Sequence, residues 1–165
     1  MARILMVAAE GLPFIKSGGL ADVIGSLPNE LAKKGHEVRV IMPLYLKIAQ
    51  KFHHEFTLEA QFSVSIAYHE VPVNIWSTMR KDVKFYFVEH KGYFEREEMY
   101  GHIDDGERFA YFQKAVIEMC NQLNYFPEIM HCHDWHTGMI PAMCKEGHSF
   151  DERYRNIRFV YTIHN

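Results

Sequence analysis

RILMVAAE, residues 3–10, is an unbroken apolar run that ends on an acid. A strand with one wet face alternates polar and apolar positions, so an uninterrupted run marks a strand buried on both faces, as in parallel sheets. A glycine-bearing loop, 11–18, follows. LADVIGSLPNELAKKG then has helical spacing, with a kink at Pro28 and a stop at Gly35 after two lysines. EVRVIMP, 37–43, is a second buried strand. Strand, helix and strand in that order form a βαβ unit, whose right-handed crossover builds doubly wound sheets. The expected fold is therefore α/β, with a mostly parallel, Rossmann-like sheet.

The stretch 56–89 changes character. It alternates apolar and polar positions and is rich in β-branched and aromatic residues, which predicts two or three antiparallel strands inserted into the layered sheet. Helical period returns from Asp105 to Asn124, where Phe109, Phe112, Val116, Met119 and Leu123 step by three and four. EIMHCHD (128–134) reads as a strand, PAMCKEG falls in the helix after it, and RFVYTIHN (158–165) reads as a further, interior strand. Ending there without a closing helix, the chain is expected to be a piece of a longer protein.

At 165 residues there is enough chain for one domain with a hydrophobic core. A net charge of −3 gives no general attraction to nucleic acid or to an anionic membrane. No apolar run is long enough to span a bilayer, and MARILMVAAE lacks a basic head and cleavage site, so a cytoplasmic setting is expected. Cys120, Cys132 and Cys144 form no C-x-x-C pair and are expected as buried free thiols.

Three stretches carry chemistry. The first is PFIKSGGLADVIG, 13–25. It is not a Walker A loop, because Ile15 stands where the second glycine belongs, and no G-x-G-x-x-G occurs. Even so, Gly18 and Gly19 open a helix whose free amides and positive dipole end favour an anion, and Lys16 adds a point charge. The alternative is a flexible loop with a solvated lysine.

The second stretch is MHCHDWHTG, 130–138. Alternation along a strand places His131 and His133 on one face and Cys132 and Asp134 on the other, so four metal ligands do not converge and no metal is expected. Asp134, Trp135 and His136 instead stand at a strand's carboxyl end, where open α/β sheets bind ligands. Core packing for Trp135 and helix capping for His136 are the alternatives. The third stretch is the closing TIHN, which sets His164 and Asn165 past a neighbouring strand end. GYFEREEMYGHIDDGERF (92–109) is read as a loop overhanging the same crevice, or as a solvated connection.

Taken together, these stretches resemble the bacterial glycogen synthase and plant starch synthase family. K-x-G-G-L-A-D-V is supplied by Lys16 to Val23, with serine at the x position where threonine is commoner. H-x-H-D-W-H-[AT]-G is met by His131 to Gly138, T-[IV]-H-N by Thr162 to Asn165, and the Y-F-x-R…Y-G segment by Tyr93 onward. The resemblance implies the N-terminal half of a two-domain GT-B glycosyltransferase. It would transfer glucose from ADP-glucose to an α-1,4-glucan with retention of configuration and without a cofactor or metal. It further implies that Lys16, Gly18 and Gly19 face the diphosphate and that Asp22 lies near the sugar-nucleotide pocket. Asp134 and His164 would line the glucosyl side, with Asn165, His136 and Tyr93 as further substrate-binding residues.

Residues 1–165 would then form an incomplete first domain, inactive without the C-terminal nucleotide-binding domain. The other functional readings are a non-catalytic sugar-nucleotide or glucan-binding domain and a related retaining glycosyltransferase using another donor.

Overall fold

A computed structural model describes residues 1–164 as a single seven-stranded sheet flanked by helices. The opening βαβ unit forms as expected: β1 (Arg3–Val7), α1 (Gly19–Lys33) and β2 (Glu37–Pro43), with β1 and β2 parallel. Leu5, Met6 and Val7 are fully buried, as befits a strand covered on both faces. Gly11 is demanded by packing, because a Cβ there would stand 2.4 Å from Ile24 Cγ2 of α1. Gly35 ends the helix at φ 89°, the left-handed geometry that favours glycine.

After α2 (Leu46–Phe52) come β3 (Thr57–Ile66), β4 (His69–Arg80) and β5 (Val83–Glu89). The alternating stretch thus yields three strands, but only β3 and β4 form the antiparallel addition. β5 pairs antiparallel with β4 on one side and parallel with β2 on the other, so it belongs to the doubly wound core. Its sequence shows this: VKFYFVE is buried at five of seven positions, whereas β3 is buried at one of ten.

The chain returns through α3 (Lys91–Phe94) and α4 (Asp105–Gln122) to β6 (Ile129–His133), then through α5 (Ile140–Gly147) and α6 (Glu152–Arg155) to β7 (Arg158–Thr162). The sheet order is β3-β4-β5-β2-β1-β6-β7. Among the described residues β7 stands at the edge of the sheet, with Val160 and Tyr161 45% and 43% exposed.

The order fixes where a ligand can bind. From β1 the chain winds outward through β2 to β5, then crosses back over β1 to β6 and β7. Right-handed crossovers in opposite directions place their helices on opposite faces, which opens a crevice at the carboxyl ends of β1 and β6. No helix among the described residues is long and apolar enough to cross a membrane. All three cysteines are buried free thiols.

Candidate active site

The crevice is built from three segments. The first is the loop after β1, stiffened by a bridge between Gly11 and Ile15 and anchored by Phe14, whose ring packs within 5.1 Å of Phe52, Phe85 and Phe87. This anchoring delivers residues 16–19 to the mouth of the crevice. There the carboxylate of Glu10 accepts hydrogen bonds from the amides of Ser17 and, at 3.4 Å, Gly18. Glu10 is 4% exposed, so an internal anion already sits against the amides that lead into α1.

Lys16 faces outward. Its ammonium donates to both oxygens of Asp22 at 2.7 Å, in a pair whose side chains are about half exposed. Gly18 is extended, and neither it nor Gly19 would clash if given a Cβ. Nothing within the chain therefore requires glycine at these two positions.

The second segment follows β6. Asp134 adopts φ 59° and ψ 179°, a region that strains any side chain and costs about 1–3 kcal/mol. The surroundings enforce it. The Asp134 amide donates to Thr162 O at 3.0 Å, Thr137 Oγ1 donates to the carbonyls of His133 and Asp134, and Asp134 Oδ1 accepts from the His164 amide at 2.6 Å. Asp134 Oδ2 is left buried without a partner among the described residues.

His136, 6% exposed, is held edge-on by Phe109 at 4.6 Å, and its Nδ1 is also unpartnered. Burial pushes its pKa down to about 4, with Asp134 opposing, so it is neutral at ordinary pH. Trp135 is 53% exposed and lies 4.1 Å over His136, which sets aside core packing as its role.

The third segment, 92–109, is held by arginines. Fully buried Arg108 bonds Asp105 and the carbonyls of Tyr93 and Met99, while Arg96 grips Asp104 at 2.6 Å and lowers that carboxyl to about 2. The connection between α3 and α4 is thereby tied down, although Glu97, Glu98, Gly101 and Ile103 remain exposed. Tyr100 reaches into the crevice from this segment. Its hydroxyl is buried and unpartnered, and burial together with Glu10 raises its pKa.

These segments enclose a cavity of about 270 Å³ lined by Glu10, Ser17, Gly18, Leu20, Tyr100, Asp134, Trp135 and His136. Of the residues singled out in the sequence, Gly18, Asp134, Trp135 and His136 meet there. His164 joins through its amide on Asp134. Gly19 opens α1 beside the cavity, and Lys16 and Asp22 pair at its rim.

Tyr93 does not line the cavity. Its ring stacks on His90 at 4.3 Å and its hydroxyl donates to Glu107, because α3 turns it back toward α4. Asn165 lies outside the described residues. Glu10 and Tyr100 escaped the sequence reading. The acid ending an apolar strand was a usable signal for Glu10, and for Tyr100 the signal was the Y-G of the Y-F-x-R…Y-G segment, formed by Tyr100 and Gly101.

The family model for the starch synthase catalytic domain matches residues 3–165. A glycogen synthase of Streptococcus agalactiae serotype III is 46% identical over 163 residues, covering 99% of this chain and 34% of the relative. One from Streptococcus equi subsp. equi is 47% identical over the same shares. Among solved structures, the catalytic domain of starch synthase IV from Arabidopsis thaliana, bound to ADP and acarbose, matches with a TM-score of 0.86 at 28% identity. That match covers 99% of this chain and 34% of the other, so the chain spans about a third of the length of such relatives. On this agreement of sequence and fold, the chain belongs to the starch synthase catalytic domain family.

Proposed function

We propose that this chain is the donor- and acceptor-facing half of a retaining glucosyltransferase that moves glucose from ADP-glucose to an α-1,4-glucan in the cytoplasm, acting with a C-terminal nucleotide-binding domain of the same polypeptide. One observation carries the reading. Tyr100 Oη, Asp134 Oδ2 and His136 Nδ1 are buried, unpartnered polar atoms on three residues lining one cavity at the topological switch point. Buried polar atoms are nearly always satisfied, so three orphans around one cavity mark groups kept for a ligand's hydroxyls.

The neighbouring helix start suits the diphosphate. Gly18 and Gly19 leave room for a bulky anion, and releasing Lys16 from Asp22 costs little because the pair is solvated. Lys16 and the α1 dipole would then offset charge growing on the departing diphosphate. Asp134 and neutral His136 would hold the hydroxyls of the transferred glucose or its acceptor, and His164, fixed on Asp134 by its amide, would sit beside the reacting sugar. Preorganisation explains the strain at Asp134: its carboxylate is aimed before any sugar arrives.

The test is incorporation of labelled glucose from ADP-glucose into glycogen by the full-length protein. UDP-glucose and the 165-residue chain serve as comparisons. Transfer is expected from ADP-glucose with the full-length protein alone. A full-length protein that binds ADP-glucose but incorporates nothing would favour the binding-domain reading instead.

A further inference from the structure

His131 and His133 share a face of β6, and the transfer reading gives neither a part. Their rings lie 4.0 Å apart, and His131 Nε2 bonds Thr162 Oγ1 at 2.8 Å. His133 is fully enclosed, with Nδ1 2.9 Å from His164 Nε2 and the two rings near-parallel. Its Nε2 is buried and meets no donor or acceptor among the described residues. Burial, reinforced by His131 and His164, pushes its pKa to about 3, so His133 is neutral and carries one N–H.

That single proton has two possible places. If His164 donated through Nε2–H, His133 would accept at Nδ1 and carry its own proton on Nε2, as a buried donor with no acceptor. If His133 donates through Nδ1–H, its Nε2 keeps only a bare lone pair. A buried orphaned N–H is the rarer and costlier defect, so the second arrangement prevails. His164 must then accept at Nε2 and carry its own proton on Nδ1.

We propose that His133 is a positioning residue that fixes the tautomer of His164, holding its Nε2 as a hydrogen-bond acceptor and leaving the N–H on its Nδ1. The consequence for catalysis rests on the glucosyl-transfer reading; the tautomer does not. Nitrogen-15 spectra of the histidine-labelled full-length protein test it, with signals assigned through His164→Gln. His164 is expected to show an unprotonated Nε2 and a protonated Nδ1. His133→Asn keeps a donor at the same point and is expected to preserve both the tautomer and kcat to within about 3-fold.

His133→Asp offers only acceptors. It is expected to move the His164 proton to Nε2 and lower kcat about 10- to 100-fold with a smaller change in donor KM. A wild-type His164 protonated at Nε2, or a tautomer unchanged in His133→Asp, would overturn the proposal. Absence of glucosyl transfer by the unsubstituted protein would overturn the transferase reading alone, since the nitrogen spectrum reads the proton independently of activity.

Discussion

The loop after β1 and the turn after β6 face each other across one cavity, yet they are finished differently. The first is satisfied from within: Glu10 fills two of its amides and Lys16 is matched by Asp22, with backbone that is extended and relaxed at Gly18. The second is strained at Asp134 and leaves polar atoms of Asp134 and His136 buried without partners. A diphosphate can be received by exchanging one anion for another at a relaxed loop. Sugar hydroxyls are neutral and need donors and acceptors already aimed, so the proposed transferase reading puts the rigid, unsatisfied wall on their side.

Substitutions at Asp134 should break this contrast most. Asp134→Asn is expected to lower glucosyl transfer by about 10²- to 10³-fold, as for loss of a preorganised polar group. Asp134→Gly should lose transfer as badly while keeping the melting temperature close to that of wild type. Relief of about 1–3 kcal/mol of backbone strain offsets the loss of one charge-assisted hydrogen bond worth about 1.5–3 kcal/mol. Calorimetry beside the labelled-glucose assay reads both, and a glycine variant much less stable than wild type would refute the strain argument.

The neutral His136 gives the next largest effect. Its folded pKa of about 4 lies below the ordinary 6.5, so the unfolded chain takes up the proton first. This contribution to stability is complete above about pH 6.5 and is lost as the pH falls toward 4. It amounts to about 2–3 kcal/mol between pH 7 and 4.5. Urea midpoints at the two pH values should show a shallower decline for His136→Gln than for wild type.

On the relaxed side the effects are smaller. Lys16→Ala should raise the donor KM about 10-fold and leave folding stability within about 0.5 kcal/mol, because an exposed ion pair contributes little. Glu10→Gln should tighten ADP binding about 3-fold by titration calorimetry, since a carboxamide oxygen still accepts the two amides without repelling a diphosphate. Weaker binding would mean that the Glu10 charge holds the loop open for the ligand instead of competing with it.

Apolar runs and their periods were sufficient to reveal the sheet, its parallel core and the α4 helix, because burial on two faces, one face or a helical stripe each leaves its own spacing. The β5 strand shows where this stops: its partner on each side depends on chain crossings dozens of residues away, which no local pattern encodes. The site divides in the same way. Lys16, Gly18, Gly19, Asp134, His136 and His164 were legible as residues at strand ends, where the α/β rule places ligands. Only tertiary packing set Glu10 on the loop amides, brought Tyr100 in from 92–109, turned Tyr93 away and stacked His133 on His164. Sequence determines which groups a chain owns and the face each occupies; which of them remain unpartnered is settled by neighbours distant in the chain, because burial and hydrogen-bond satisfaction are properties of the assembled sheet.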